Sequence, residues 1–241
     1  MGSARPVGRP TAISIALAAV PLGAFALAAW SQRWTHDDGF ITLRVVEHVV
    51  AGDGPVYNAG QRVEAYTSPV HLAVLVVLRV ALGWAVDVAW LGACATLAAA
   101  TAGLALAAAG AARLARAGGA TGVLVPFGLL VPVALPPMWE YATAGLETGL
   151  AIGWIGATFW VLAGLAARGR PHAVARRRGS PAPEVAPGRL APVAVLVGLG
   201  PLVRPELALV TVAWLVVLCR LELARERPWW RLVATAAALP V

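Results

Sequence analysis

Long apolar runs separated by short polar segments dominate the chain. The runs cover residues 11–30, 69–86, 88–112, 120–137, 148–167, 190–203, 207–219 and 229–241. A helix needs about 20 apolar residues to cross a hydrocarbon core of about 30 Å. We therefore predict an all-α polytopic membrane protein, with residues 11–30 as a retained first span rather than a cleaved signal peptide.

Composition supports this fold class and argues against one class of partner. Hydrophobic residues make up 59% of the chain and charged residues only 13%, outside the usual range of soluble domains. The net charge of +7 comes from 19 arginines without any lysine. Because basic residues collect in the cytoplasmic loops of membrane proteins, we interpret this charge as a sign of topology and expect no nucleic-acid partner.

The distribution of charge predicts which segments lie on which side of a plasma membrane. If residues 69–86 lie in the outer interface instead of crossing, 14 arginines and 3 acidic residues fall inside, against 5 and 9 outside. This arrangement satisfies the positive-inside rule. It predicts a cytoplasmic N-terminus at 1–10, an extracytoplasmic loop with interfacial helices at 31–86, and further spans over 87–241 with a cytoplasmic Arg/Pro-rich linker at 168–190. The last apolar run stops at Val241, so we expect a truncated chain.

Three polar patches then share the outer side: residues 36–38, 139–147 and 204–206. Ionisable groups close to a membrane are costly and often functional. Asp37 and Asp38 are candidates for a general base or for ligands of a divalent cation, Mg or Mn. Thr35 or Asp37 can also cap a helix that begins near Gly39, and a purely capping role for these residues remains open.

The other two patches and the loop after the first helix offer substrate contacts. Arg204 is a candidate for pairing with a phosphate; the alternative is an internal ion pair with Glu206 or Glu147. Turn-forming residues between 52 and 60 place Tyr57 and Tyr66 on an irregular loop. Their rings either contact sugars or simply pack within the loop.

Three motifs carry a resemblance to a known family. They read "DDGFITLRVVEHVVAGDGPVYNAGQRVEAYTSP", "AGLETGL" and "LVRPELAL", in that order, with membrane runs between them. Over about residues 11–220 the chain resembles the bacterial GT-C membrane glycosyltransferases, with the strongest likeness to the mycobacterial terminal arabinofuranosyltransferase or ZomB-like group.

The resemblance implies a GT-C-like transmembrane helix bundle with juxtamembrane helices in the first extracytoplasmic loop. It also implies a polyprenyl-phosphate sugar donor and a cell-wall polysaccharide or lipid-linked glycan as acceptor. Asp37 and Asp38 match the acidic motif, and one of them would be the catalytic carboxylate; with a divalent cation, both would be its ligands. The leaving phosphate is assigned to Arg204, Arg44 and Arg62, and substrate binding to Glu147, Glu206, Tyr57, Tyr66 and His36.

The leading hypothesis is therefore a glycosyltransferase that moves a sugar, arabinofuranose, onto an extracytoplasmic glycan. A transporter or flippase is the main alternative, with broken helices near Arg204 lining a substrate path. A non-catalytic fragment of such an enzyme is a further alternative.

Overall fold

A computed structural model describes residues 12–177 and 191–223, together with Ala234. The predictions for residues 1–10, for the linker after 177 and for the run 229–241 apart from Ala234 lie outside the described residues. Within the described ranges the regular structure is entirely helical, which confirms the all-α prediction. The α-helices of the described ranges are α1 (Ala12–Ser31), α2 (Asp37–Ala51), α3 (Pro69–Leu82), α4 (Val88–Ala117), α5 (Leu130–Ala134), α6 (Pro136–Glu140), α7 (Thr148–Arg177), α8 (Ala191–Gly198), α9 (Gly200–Val203) and α10 (Ala208–Leu223).

Three of these helices are long and apolar enough to cross a membrane: α1, α4 and the Thr148–Arg168 part of α7. Helix α3 is apolar but has 14 residues, which gives a length of about 21 Å at 1.5 Å per residue. This is shorter than a hydrocarbon core of about 30 Å. Helix α7 continues to Arg177, so the first part of the predicted linker is helical.

Helices α4 and α7 form the closest helix pair, and glycines of α7 lie directly against the α4 backbone. A Cβ on Gly156 would overlap the carbonyl of Gly103, and one on Gly149 would overlap the carbonyl of Thr96. Gly153 lies against Ala99 in the same way, with a built Cβ 2.9 Å from its carbonyl oxygen. Small residues spaced three or four apart lie on one face of a helix and let membrane helices approach backbone to backbone. The sequence TGLAIGWIG, residues 148–156, therefore determines how closely these two helices pack.

Helices α2 and α3 form a hairpin that packs on the start of α4. Their contact surface is the buried cluster Leu43, Val45, Val46, Leu72 and Leu75. On the exposed side, Arg79 donates two hydrogen bonds to the Glu47 carboxylate, at 2.7 and 3.1 Å. The hairpin is thus held by apolar packing on one side and a bidentate ion pair on the other.

The apolar run 120–137 does not form one continuous helix. It contains a 3₁₀ turn at Phe127–Leu129, followed by α5 and α6, because prolines 126, 132, 136 and 137 remove amide donors and interrupt the ladder. The segment still runs alongside α1. Near the start of α1 the Leu124 amide donates to Ser14 Oγ (2.9 Å), and near its end Val133 packs against the cluster of Phe25 and Ala29.

The predicted break between the apolar runs 190–203 and 207–219 is confirmed. Helix α8 ends at Gly198 and α9 at Val203. The next residue, Arg204, is extended at φ −154° and ψ 136°, as expected for a residue that precedes proline. A 3₁₀ turn at Pro205–Leu207 then leads into α10. Side chains bond two carbonyls beside the break: Trp154 Nε1 donates to Leu196 O (2.7 Å) and Thr211 Oγ1 to Val197 O (3.2 Å).

Candidate active site

The predicted polar patches meet at one end of the bundle, where α1 finishes and α2, α4 and α7 begin; we call it the polar end. Trp30 near the end of α1 contacts Trp90 near the start of α4, with ring centroids 5.6 Å apart. The loop 140–147 docks on the segment after α1. The His36 amide donates to Ala144 O (2.9 Å), and Trp34 Nε1 donates to Glu140 O (3.2 Å).

Two glycines make this docking possible. A Cβ on Gly39 would lie 2.8 Å from Ala144 O, closer than real contacts allow. Gly145 adopts φ +77° and lies with its own Cβ position 3.4 Å from the Gly39 Cα. Only glycine combines a positive φ with such close approach. The start of α2 and the loop 140–147 are therefore in backbone contact.

Helix α2 begins two residues earlier than predicted, and its N-cap is a different residue. The helix starts at Asp37, and His36 is the cap: its Nδ1 accepts a hydrogen bond from the Asp38 amide (3.2 Å). The prediction of Thr35 or Asp37 as cap was wrong, because an imidazole nitrogen supplies the acceptor usually given by Ser, Thr, Asp or Asn. Neither aspartate is needed as the cap.

Asp37 and Asp38 are exposed in the first turn of α2, where the helix dipole favours negative charge. The Asp38 carboxylate lies 3.6 Å from His36 Nδ1. Since the cap requires an unprotonated Nδ1, neutral His36 carries its proton on Nε2. His36 and the two exposed aspartates thus place three polar side chains at consecutive positions at the start of α2.

Arg204 is shared by two carboxylates at the same end of the bundle. Its Nε lies 3.2 Å from Glu147 Oε1 and 3.5 Å from Glu206 Oε2. The Glu147 side chain is only 12% exposed and that of Glu206 is 72% exposed. The internal ion pair left open by the sequence is therefore formed. Because Glu147 closes the loop 140–147, this loop touches both the aspartate segment and Arg204.

Of the remaining predicted residues, Arg44 lies on α2, and Tyr57, Arg62 and Tyr66 lie on the loop between α2 and α3. Arg44 donates to Tyr57 O (2.8 Å) and to Asn58 Oδ1 (3.2 Å), and its guanidinium stacks 4.7 Å from the centre of the Tyr57 ring. Tyr66 packs beside the α2–α3 cluster, and Arg62 is exposed. In this structure Arg44 and Tyr57 bind each other and hold the loop in place.

The described part of the chain brings together no group of three or more His, Cys, Asp or Glu side chains for a metal. The adjacent, exposed Asp37 and Asp38 still fit a magnesium-type ion, which commonly binds one or two carboxylates and completes its shell with substrate phosphate and water. A divalent cation therefore stays a prediction tied to a phosphate-bearing substrate.

Several residues of the polar end were missed by reasoning from sequence. Ser68 caps α3 by accepting from the His71 amide (3.1 Å) and also donates to Leu202 O (3.4 Å), two residues before Arg204. Its signal was available, since serine followed by proline before an apolar run marks a helix start. Trp34 gave no sequence signal of its own; it contacts Tyr141, which lay within the predicted patch 139–147.

Comparison with known proteins finds two relatives that are similar in sequence. The chain is 37% identical over 239 residues to the terminal β-(1→2)-arabinofuranosyltransferase of Corynebacterium glutamicum, covering 96% of this chain and 33% of that protein. It is 34% identical over 225 residues to the protein of the same name from Mycobacterium tuberculosis, covering 90% and 33%. The chain thus spans about one third of the length of the curated relatives it matches. No protein-family model matches it, and no solved structure does.

Proposed function

We propose that this chain, a homologue of terminal β-(1→2)-arabinofuranosyltransferases over at least 90% of its length, carries the donor and catalytic site of a multi-pass plasma-membrane glycosyltransferase. Its reaction moves a sugar, arabinofuranose, from a polyprenyl-phosphate donor to a cell-wall polysaccharide or lipid-linked glycan. The polar end faces the extracytoplasmic side, in keeping with the arginine distribution.

The observation that carries the proposal is the loop 140–147. At its middle it is bonded to the segment that presents Asp37 and Asp38, through the 2.9 Å hydrogen bond from the His36 amide to Ala144 O. At its end Glu147 holds Arg204 at 3.2 Å. A carboxylate pair and a guanidinium, far apart in sequence, are therefore fixed relative to each other by a single short loop.

Sugar transfer from a lipid phosphate needs both kinds of group. The acceptor hydroxyl oxygen attacks the anomeric carbon, the bond from that carbon to the phosphate oxygen breaks, and the hydroxyl proton passes to a base. Asp37 or Asp38 accepts that proton. Arg204 stabilises the negative charge that develops on the departing phosphate. A divalent cation bound by the aspartates would add charge stabilisation at the same phosphate.

The test compares carboxylate variants of the full-length protein in membranes, assayed for transfer from a polyprenyl-phosphate arabinofuranose donor. Asp37→Asn or Asp38→Asn should lower turnover by about 10²-fold or more, the range of general-base removal. Glu64→Gln is the matched control, because Glu64 is an exposed carboxylate on the neighbouring loop, and it should retain activity. Unchanged turnover in both aspartate variants would refute the assignment.

The broken helices favour one further candidate function. The extended Arg204 between α9 and the 3₁₀ turn is the type of backbone break found where transporters bind substrate. A transporter predicts counterflow of labelled lipid-linked sugar in proteoliposomes without a transfer product. If the protein is a glycosyltransferase, a transfer product is expected, and Asp37→Asn or Asp38→Asn should abolish its formation.

A further inference from the structure

Three aromatic rings form a cluster beside the aspartates; we call Trp34, His36 and Tyr141 the aromatic corner. The ring centroids lie 5.4 Å apart for Trp34 and His36, 5.8 Å for Trp34 and Tyr141, and 6.2 Å for His36 and Tyr141. The interplanar angles are 65°, 70° and 38°. Because no pair is parallel, the cluster presents ring faces in more than one direction. Trp34 is 43% exposed.

The aromatic corner is held rigidly by the same bonds that place the aspartates. The indole of Trp34 is fixed by its hydrogen bond to Glu140 O (3.2 Å), and the ring of His36 by its cap to the Asp38 amide (3.2 Å). Tyr141 follows Glu140 directly in the docked loop. A contact surface ordered before a ligand arrives loses little side-chain entropy on binding.

Other exposed tryptophans at the polar end have different surroundings. Arg33 lies over both Trp30 and Trp90, with its guanidinium carbon 5.0 and 5.3 Å from the ring centres. Trp84 is 85% exposed at the end of the α2–α3 hairpin. A tryptophan beside a cation, or alone at the end of an apolar helix, is typical of anchoring in the membrane interface. Trp34 differs because its neighbours are two aromatic rings and a pair of carboxylates.

This combination suits a sugar ring. A sugar has apolar C–H faces that pack on aromatic rings and hydroxyl groups that bond to polar atoms at the ring edge. The His36 Nε2–H is a donor for such a hydroxyl. The two carboxylates that follow His36 in sequence are acceptors for others.

The loop 140–147 indicates whether the aromatic corner binds the donor sugar or the acceptor sugar. Tyr141 stands at its start, and Glu147, the partner of Arg204, stands at its end. With the donor phosphate assigned to Arg204, which pairs with Glu147 at the end of the loop, Trp34 and Tyr141 contact each other at the start of the same loop. We propose that Trp34, with Tyr141 and His36, binds a sugar ring of the glycan acceptor and directs its hydroxyl towards Asp37 and Asp38. This inference rests on the proposed function above.

The kinetic test uses the full-length protein in nanodiscs, a synthetic arabinofuranosyl oligosaccharide as acceptor, and separate titrations of donor and acceptor. Trp34→Ala should raise the acceptor KM about tenfold, which corresponds to about 1.4 kcal/mol, because it removes both the aromatic contact and its buried apolar area. The donor KM should change less than twofold. Trp34→Phe keeps an aromatic face and should restore most of the acceptor affinity.

Trp84→Ala is the matched control, because it removes an exposed tryptophan from the same end of the molecule without touching the aromatic corner. It should leave both KM values unchanged. An equal rise of donor and acceptor KM in Trp34→Ala would overturn the inference and indicate a general structural role. The same loss in Trp34→Ala and Trp84→Ala would overturn it in favour of interface anchoring.

A binding measurement separates this inference from the proposed function. The oligosaccharide is titrated into wild-type and Trp34→Ala nanodiscs without donor, so no turnover is needed. Binding that weakens about tenfold in the variant supports the aromatic corner, even if the wild type fails to transfer the sugar. Equal binding by both proteins contradicts it, even if transfer is observed.

Discussion

The acid sensitivity of the fold should depend on His71, in the first turn of α3. The side chain is 2% exposed, and its Nε2 has no hydrogen-bond partner among the described residues. Burial lowers the pKa of His71 from the ordinary value of 6.5 to about 4, because the charged imidazolium would lose its hydration in this position. The substitution His71→Leu tests this dependence, because it fills similar space with an uncharged side chain.

Proton linkage determines whether acid stabilises or destabilises the fold. Between pH 6.5 and pH 4 the unfolded chain binds a proton at His71 that the folded chain excludes, so lowering the pH favours unfolding. The full stabilising contribution of neutral His71 is present above pH 6.5 and is lost as the pH falls towards 4. For these two pKa values the loss between pH 7.5 and pH 5 is about 2 kcal/mol.

The assay is thermal or denaturant unfolding of the purified protein in nanodiscs at pH 7.5 and pH 5. Wild type should lose about 2 kcal/mol more between these pH values than His71→Leu does. His48→Gln is the control, because His48 bonds to Asp53 (2.8 Å) on the surface and its removal should leave the His71 contribution in place. An identical loss of stability on acidification in wild type and His71→Leu would show that His71 does not cause the acid sensitivity.

Two glycine substitutions test the packing that supports the site. Gly156→Ala should destabilise the α4–α7 pair by about 1–3 kcal/mol, because its Cβ would overlap the Gly103 carbonyl. Gly23→Ala is the control and should be neutral, because a Cβ there would have nothing within 4 Å. Equal melting temperatures for the two variants would contradict this prediction. Gly39→Ala should lower sugar transfer on the order of tenfold with a small change in melting temperature, because its Cβ would push against Ala144 O and shift the start of α2. Full activity in Gly39→Ala would show that the docking distance is not critical.

The lengths of the apolar runs and the positions of prolines predicted most of the helical layout. The first span at 11–30 became α1 at Ala12–Ser31, and the break in PLVRPEL appeared where proline constrains the preceding residue. Both features are local, because they depend on run length or on a single backbone restriction. Local physics is what a single sequence expresses directly.

The prediction from sequence was less accurate where the local structure depends on an uncommon residue at a helix cap, on proline, or on a contact between distant residues. The start of α2 was missed by two residues because histidine, an uncommon cap, supplies the acceptor. The run 120–137 is apolar enough to suggest a helix, yet its prolines divide it into short pieces that follow α1. The glycines of residues 148–156 carried a recognisable helix-packing signal, which the composition of the run concealed.

The convergence of the site was expected from charge placement, but its geometry was not. Charge placement puts three patches on one side of a membrane without saying which of them touch. Contact arises because Gly39 and Gly145 let two backbones meet and because Glu147 reaches Arg204 across the fold. Both are long-range contacts that no spacing within one motif encodes.

The geometry also separates the carboxylates of the polar end by what each can do. Glu147 is 12% exposed and directs its carboxylate at Arg204, so it is suited to positioning that guanidinium rather than to exchanging protons with a substrate. Asp37 and Asp38 are exposed, and the helix cap is supplied by His36 instead. A general base must reach the proton that it removes. We therefore expect Glu147→Gln to act through Arg204, raising the KM for the phosphate-bearing donor, while substitution of the aspartates lowers kcat.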